Sequence, residues 1–381
     1  MKNIHKALIL SSAMIAGNSQ AEIVLNGFAS IVGGVTTSKD ESLSGYDDSI
    51  SFNQDSFFAL QASSDLSEGL SVTAQIMARG ENEWDPEFEW AYVAYEATDN
   101  LRILAGRQRV PFYMFSDFLD VSYAYPWITP TEAVYGNVAF NTFDGLGAIY
   151  TTSLASFDTT IHAIYGENTS KIFDDEESAN FKDLAGVAVT LNRDWLTLRA
   201  GYMQTEMNIP VTAFDHEETG LAALWTKAGY ASVGDNIQVS EDTGSFMELG
   251  FQIDYENILI IGEYTELRLD DTTFAEEDSF YILGGYRFDD MLVHITYGGS
   301  EGSTNRITDG VSDLPDELAF LLPTTNGLTD SETFESTYVT LGLRWDFHDS
   351  AALKFEYTSF SDDLDSNNDA GLFRTALVTV F

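Results

Sequence analysis

The stretch FMELGFQIDYENILIIGEYTELR, Phe246 to Arg268, contains an alternating run, a two-residue break and a second strand-like run. In the first run every second residue is apolar, and polar residues lie between them: Met247, Leu249, Phe251, Ile253 and Tyr255 oppose Glu248, Gln252 and Asp254. A period of two is typical of a β-strand with one apolar and one polar face. The stretch therefore predicts a hairpin of two strands, 245–255 and 258–268, joined by a short turn at Glu256–Asn257.

The same pattern recurs along most of the chain. LSVTAQIMAR (70–79) and TYVTLGLRWDF (337–347) alternate in the same way, and very short turns alternate with longer polar segments. Counting outward from the short turns predicts sixteen strands, near residues 23–36, 55–64, 70–80, 87–97, 101–110, 142–152, 157–166, 183–191, 195–205, 245–255, 258–268, 278–288, 291–299, 334–347, 351–360 and 371–381.

An even number of strands of about ten residues, with short turns at one end and long loops at the other, is typical of a barrel that spans an outer membrane. A soluble β-sandwich would have shorter strands and no such difference between its loops. We therefore predict an all-β fold, a transmembrane antiparallel β-barrel of 16 strands with short periplasmic turns and long extracellular loops. Aromatic residues predict the two interfacial girdles: Phe157, Trp195, Tyr255, Phe288, Trp345 and Phe347 near the short turns, and Phe58, Tyr202, Tyr264 and Phe360 toward the long loops.

The first residues predict export. Lys2 and Lys6 precede an apolar run, and Ser19, Gln20 and Ala21 provide a cleavage site, so we interpret residues 1–21 as a signal peptide and 22–381 as a single barrel domain. Without Lys2 and Lys6 the 18 basic residues become 16, which against 61 acids gives 16 − 61 = −45. Such a charge excludes nucleic acid as a partner. The absence of cysteine excludes disulfides, thiol catalysis and cysteine metal sites.

Taken together, the signal peptide, the sixteen strands, the opening strand EIVLNGFASIVGG and the terminal Phe381 resemble the Gram-negative trimeric porins. The resemblance does not assign a subfamily. It implies a homotrimer in the cell outer membrane, in contact with membrane lipid and lipopolysaccharide. It also implies passive diffusion of small hydrophilic solutes and ions through a constricted lumen, without cofactors and without enzyme activity.

The stretch LAGRQRVPFYMFSDFLDVSYAYPWITP (104–130) begins as a strand and then loses its period. Arg107 and Arg109 share one face, and Leu104, Gly106 and Val110 share the other, so we expect both arginines in the lumen. In the family that the chain resembles, the loop after the fifth strand folds into the barrel, which here implies a constriction loop at about 111–141. An acidic loop facing a basic wall would filter solutes by charge. The predicted constriction residues are Arg79, Arg107, Arg109, Tyr113, Asp117, Asp120, Tyr123, Tyr125, Trp127 and Glu132.

Several features have more than one interpretation. The aromatics of this loop could instead only attach an extracellular loop to its neighbours. The acidic loops could make a cation-attracting mouth, bind divalent cations that bridge to lipopolysaccharide, or serve hydration alone, and without a DxDxDG segment we assign no metal site. Residues 219–229 have helical spacing and could form a short helix over the mouth, a partner surface or a packed loop.

Three other functions compete with a diffusion channel. A substrate-specific channel, for example for oligosaccharides, could use Tyr123, Tyr125 and Trp127 as stacking surfaces. An outer-membrane enzyme could use His162 or His294, but no serine or aspartate accompanies either histidine at a suitable spacing. An adhesin is the third alternative.

Overall fold

The computed structural model describes residues 22–173, 177–270 and 272–381. The predicted signal peptide, residues 1–21, lies outside the described residues. The strands are β1 (Ile23–Thr36), β2 (Phe57–Ser67), β3 (Leu70–Arg79), β4 (Pro86–Thr98), β5 (Leu101–Arg109), β6 (Thr142–Leu154), β7 (Phe157–Ser170), β8 (Ala179–Arg193), β9 (Leu196–Ile209), β10 (Val239–Tyr255), β11 (Ile258–Leu269), β12 (Glu276–Phe288), β13 (Met291–Ser303), β14 (Phe334–His348), β15 (Ala351–Asp362) and β16 (Ala370–Val380).

These strands form one closed antiparallel barrel in which each strand pairs with its neighbours in sequence and β1 pairs with β16. Closure continues to the last residue, because the backbone N–H of Gly27 donates to the Phe381 carbonyl at 2.7 Å and Phe381 donates back at 2.8 Å. A closed barrel leaves no strand edge, so every strand can satisfy its backbone groups inside hydrocarbon. The predicted 16-strand barrel is confirmed.

Two-residue turns join the strands at one rim, here called the turn rim. Asp289 (φ 50°) and Glu256 (φ 53°) begin two of these turns in the left-handed conformation, which suits the twist of a tight hairpin. Long segments join the strands at the opposite rim, the loop rim; the longest are 37–56, 110–141, 210–238 and 304–333. We call residues 110–141 the inner loop.

The outer face of the barrel is apolar, with aromatic residues toward both rims. Trp195, Tyr255 and Trp345 are exposed near the turn rim, and Tyr202 and Tyr264 are exposed nearer the loop rim. This is the arrangement expected of side chains that meet the two surfaces of a membrane. Phe360 is an exception to the prediction, because it faces the interior and lines a cavity there.

Five strands, β7 to β10 and β13, extend at least four residues further toward the loop rim than the sequence pattern predicts. β8 begins at Ala179 and β10 at Val239, several residues before the predicted limits. A shift in register interrupts each of these two extensions, between Lys182 and Ala185 in β8 and between Ser240 and Asp242 in β10. Such a bulge changes which side chains face inward, so the alternation is lost although the backbone pairing continues.

Short helices lie in the long loops. The inner loop contains α1 (Glu132–Tyr135), segment 210–238 contains α2 (Thr212–Asp215), α3 (Leu221–Lys227) and α4 (Ala231–Asp235), and segment 304–333 contains α5 (Leu321–Ser331). α3 forms within the segment 219–229 that has helical spacing in the sequence. Among the described residues, no helix is both long enough and apolar enough to cross a membrane.

Loops 210–238 and 304–333 pack against each other through a small apolar cluster that we call the helical cap. Its buried members are Trp225, Val233, Ile237, Leu318 and Leu321. The indole N–H of Trp225 donates to Thr325 Oγ1 at 2.8 Å, which joins α3 to α5. Of the three interpretations of segment 219–229, the structure therefore agrees with the packed loop, because the helix lies in a pair of loops that pack against each other.

Candidate functional site: the loop inside the barrel

The inner loop passes through the interior of the barrel and packs against its wall. The ring of Phe112 lies 5.0 Å from that of Phe246 on β10, and the ring of Trp127 lies 5.3 Å from that of Tyr281 on β12. Phe112 and Trp127 are almost fully buried. The aromatic residues of this segment therefore contact the interior of the barrel and not an extracellular surface.

Charged residues of β9 and β11 hold the first part of the loop. The Arg199 guanidinium donates to the Pro111 carbonyl at 2.6 Å. The Glu263 carboxylate accepts the backbone N–H of Met114 at 2.7 Å, the Tyr281 hydroxyl at 2.5 Å and the Tyr135 hydroxyl. Burial raises the pKa of Tyr135 well above its usual value, and the charge of Glu263 adds to this, so the phenol stays a donor.

The middle of the loop is held by β14 and β15. The buried ammonium group of Lys354 donates to the carbonyl oxygens of Ser122 at 2.5 Å and Tyr125 at 2.9 Å, and also to that of Trp127. Arg344 donates to the carbonyl oxygens of Tyr123 at 2.7 Å and Tyr125 at 3.0 Å. Carbonyl oxygens thus replace the water that Lys354 loses on burial.

Two further wall residues hold the part of the loop that follows. The Glu356 carboxylate accepts the backbone N–H of Ile128 at 2.7 Å. Arg374 on β16 donates to Thr129 Oγ1 at 2.9 Å and forms ion pairs with Asp55 and Glu356 at 2.9 Å each. Because the loop is bound to opposite walls, its path across the lumen is fixed at several points.

A cluster of four charged side chains lies where the loop approaches β3, β4 and β5. The Arg79 guanidinium pairs with Glu89 and lies 3.2 Å from Asp120, and the Arg109 guanidinium pairs with Asp120 and lies 3.1 Å from Glu89. Arg109 and Glu89 are almost fully buried. Three of the predicted constriction residues, Arg79, Arg109 and Asp120, therefore meet across the gap between wall and loop.

The lumenal position predicted for Arg107 is wrong. Arg107 is in register with Asp144 on β6, and its guanidinium binds that carboxylate at 2.8 and 3.2 Å on the outer face of the barrel. Leu146, on the same face of β6, is 56% exposed, whereas Leu104 and Gln108 on the other face of β5 are buried in the interior. Arg109 binds Asp120 of the inner loop at the end of β5, where the strand still pairs with β6 but no longer with β4.

The remaining predicted residues have structural contacts of different kinds. Tyr113 packs 4.5 Å from Tyr135 and donates to Asn137 Oδ1 at 2.8 Å. The Tyr125 hydroxyl donates to the Leu119 carbonyl at 2.9 Å, and the Trp127 indole N–H donates to Thr296 Oγ1 at 2.8 Å. These three side chains are buried and fix the shape of the loop.

Tyr123, Asp117 and Glu132 lie nearer to open space. The Tyr123 hydroxyl donates to the Asp349 carbonyl at 3.0 Å, and the Arg344 guanidinium lies 4.8 Å from the centre of the Tyr123 ring. Glu132 accepts a hydrogen bond of 2.6 Å from Ser44. Glu132 lines a cavity above the loop, and Asp117 lines a cavity below it.

These two cavities lie on opposite sides of the inner loop. The upper cavity, of about 730 Å³, lies toward the loop rim between the inner loop, segment 37–56 and strands β12 to β16. The lower cavity, of about 520 Å³, lies toward the turn rim and is lined by Asn26, Ser350 and Phe381 among others. The inner loop and its charged cluster therefore separate two open spaces of the lumen.

Sequence reasoning missed Glu263 and Glu356, whose carboxylates hold the loop, and Glu89, which pairs with Arg79 and Arg109 in the charged cluster. All three lie on strands and are buried, where an unpaired charge would be costly. An acidic residue at a lumen-facing position of an alternating strand could have indicated such a role. The many acidic residues of the loops made these few strand positions hard to distinguish. Within residues 22–173, 177–270 and 272–381, no group of three or more histidine, aspartate or glutamate residues could hold a metal ion.

Comparison with known proteins agrees with this architecture. The profile of a Gram-negative porin family matches residues 7–365. The trimer form of OmpT from Vibrio cholerae is 16% identical, with a TM-score of 0.57, and the alignment covers 95% of this chain and 99% of that one.

Two further structures are similar. OmpF from Salmonella typhi, in complex with daunomycin, is 14% identical (TM-score 0.58; 95% and 98% covered). The anion-selective porin from Comamonas acidovorans is 12% identical (TM-score 0.56; 95% and 100% covered). A search of the curated proteins finds no match. The chain belongs to the Gram-negative porins and is a transport β-barrel of the outer membrane.

Proposed function

We propose that this porin allows passive diffusion of small hydrophilic solutes and ions, that the inner loop is its constriction, and that cations pass in preference to anions. The observation that carries the proposal is the charge around the upper cavity. Its described lining contains the carboxylates of Asp55, Glu81, Glu132, Glu277 and Glu356 and the single guanidinium of Arg374.

Pairing does not remove this excess of negative charge. Arg374 already binds two of the five carboxylates, Asp55 and Glu356. Glu132 and Glu277 accept hydrogen bonds from Ser44 and Ser279, which are neutral partners. Low-dielectric walls concentrate the field of such carboxylates in the cavity and raise the local concentration of cations. Below the loop, Asp117, Asp120 and Arg109 line the lower cavity, so two acids against one base give it the same sign of charge.

Reversal potentials in a tenfold KCl gradient across a planar bilayer test this proposal. The wild type should prefer K⁺ over Cl⁻, and Glu132→Gln/Glu277→Gln should reduce that preference by about twofold or more, because the focused field weakens. Asp313→Asn/Asp316→Asn, in loop 304–333, removes the same number of charges away from both cavities and should change the preference little. Anion preference of the wild type, or equal effects of the two double variants, would contradict the proposal.

A substrate-specific channel for a hydroxyl-rich solute is the second candidate. A row of hydroxyl groups crosses the wall of the upper cavity, with 2.8 Å between the side-chain oxygens of Thr340 and Thr358 and 3.2 Å between those of Ser300 and Ser336. Saturable block of the ion current by an oligosaccharide would support this candidate. A current that falls only in proportion to solution viscosity supports diffusion.

The proposal includes a homotrimer in contact with outer-membrane lipid and lipopolysaccharide. The Arg107–Asp144 pair supports it, because a charged pair on the outer face of a barrel is better placed against another protomer than against lipid. One of the similar structures is described as a trimer form. Native mass spectrometry of the detergent-solubilised protein tests the assembly, and a purely monomeric wild type would contradict it.

A further inference from the structure

A third cavity, which we call the apolar pocket, lies inside the barrel between the inner loop and strands β8 to β11. Its volume is about 190 Å³. Its lining is mostly aromatic, aliphatic and thioether side chains, including Phe140, Phe181, Met203, Met207, Phe246 and Leu267. The interior of a water-filled barrel is ordinarily polar, so an open space with this lining is not explained by the passage of hydrophilic solutes.

Two of the polar residues that line the pocket, Asn137 and Thr205, are engaged elsewhere. Asn137 accepts from the Tyr113 hydroxyl at 2.8 Å and donates to Thr265 Oγ1 at 3.1 Å. Thr205 Oγ1 donates to the Lys182 carbonyl at 2.8 Å. A water molecule needs two to four polar partners to be held in a cavity, and these side chains have little capacity left. Water in the pocket would therefore be easily displaced by an apolar molecule.

The size of the apolar pocket limits which molecules can occupy it. An apolar cavity of about 150 Å³ in an unrelated protein stays dry and binds benzene. The pocket is slightly larger than that cavity, and it is too small for a peptide helix, whose diameter with side chains is about 10–12 Å. Its volume therefore suits a single aromatic ring with one or two substituents.

The two methionines of the pocket give it an adaptable wall. Met203 lies opposite Gly186 on β8, and a Cβ atom at Gly244 on β10 would come within 2.7 Å of the Met207 sulfur. The glycines thus leave room for both thioethers. Methionine is flexible and its sulfur makes favourable contacts with aromatic rings, so the wall can adjust to a ring placed between Phe181 and Phe246.

We propose that the apolar pocket is a binding site for a small uncharged aromatic molecule of one ring. Asn137 lines both this pocket and the upper cavity, so a molecule that reaches the upper cavity is next to the site. The site does not depend on the ion preference proposed above, since its lining lacks the acids that surround the upper cavity.

Crystals of the full mature barrel soaked with bromobenzene test the site, because bromine can be located by its anomalous scattering. We expect a bromine peak within the apolar pocket of the wild type. Leu267→Trp fills the pocket and should abolish the peak. Leu249→Trp makes the same change on the outer face of β10, where Leu249 is 50% exposed, and should leave the peak unchanged. No peak in the wild-type pocket, or the same peak in Leu267→Trp, overturns the proposal.

A titration in solution, monitored by the ¹⁹F resonance of fluorobenzene, distinguishes specific binding from binding that occurs only at soaking concentrations. Wild type and Leu249→Trp should show saturable binding beyond the partition into empty detergent micelles, and Leu267→Trp should bind at least about tenfold more weakly, which corresponds to about 1.4 kcal/mol. Leu269→Phe is a milder filling variant that serves if Leu267→Trp does not fold. Linear partition alone in the wild type, or equal affinity in the filled variants, overturns the proposal.

Discussion

The ammonium group of Lys354 donates a hydrogen bond of 2.9 Å to the carbonyl oxygen of Tyr125. The two residues are 229 positions apart and join the fifteenth strand to the inner loop. The same ammonium group also reaches the carbonyl oxygens of Ser122 and Trp127, and Lys354 is only 1% exposed. The central part of the inner loop thus takes its shape around one buried cation.

Replacing Lys354 by methionine should loosen the loop. The carbonyl oxygens of Ser122 and Trp127 lose their donor and that of Tyr125 keeps only Arg344, so the barrel should be destabilised by about 2–4 kcal/mol, and single-channel currents should become larger and noisier. Denaturant unfolding and single-channel recording measure the two effects. Lys182→Met, at an exposed lysine on β8, is the matched control and should resemble the wild type. If the current through Lys354→Met is as small and as quiet as that of the wild type, the ammonium group does not position the loop.

Arg109 and Arg107 are two residues apart but should differ in their effect on selectivity. Arg109→Gln leaves Glu89 and Asp120 with less positive charge beside the lower cavity, so cation preference should rise. Arg107→Gln changes a pair on the outer face and should leave the reversal potential of an assembled channel unchanged. Reversal potentials in a KCl gradient provide the comparison. Equal shifts in the two variants would place both side chains in the ion path.

The acceptor oxygens of Glu263 should contribute more to the stability of the barrel than its negative charge does. Glu263→Gln keeps one oxygen for the N–H of Met114 or the hydroxyls of Tyr135 and Tyr281, whereas Glu263→Leu leaves all three donors without this partner. We expect Glu263→Leu to be less stable than Glu263→Gln by about 1–3 kcal/mol, the cost of buried unsatisfied groups. Denaturant unfolding in the same detergent measures the difference. Equal stability of the two variants would mean that these hydrogen bonds contribute little.

Trp225→Ala should separate the two loops of the helical cap. The change removes the largest buried side chain of the cluster and its hydrogen bond to Thr325. Because the cap is distinct from the barrel core, only local stability should fall. Limited proteolysis should cut loops 210–238 and 304–333 several times faster than in the wild type, while resistance of the barrel to heat in detergent is retained. Loss of the whole barrel on heating would show that the cap and barrel unfold together.

The strands were predictable because each one has a local signature. Alternation along 245–255 and 334–347 follows from the different solvents on the two faces of a barrel wall, and the two-residue breaks locate the turns. The prediction failed where the chain departs locally from regular pairing, as at the bulge after Lys182 and at the end of β5, where Arg109 turns inward and Arg107 does not. A single shift of this kind reverses the face of the side chains beyond it.

A sixteen-stranded barrel with an irregular segment after the fifth strand follows from the amino-acid sequence, because membrane-facing and lumen-facing residues alternate locally. The position of that segment inside the barrel, and the side chains that hold it there, emerge from the folded structure alone. The contacts between Lys354 and Tyr125, Glu263 and Met114, and Glu356 and Ile128 join residues distant in sequence within the closed barrel. No local period records such contacts, because each depends on which strands the closed register brings opposite the loop.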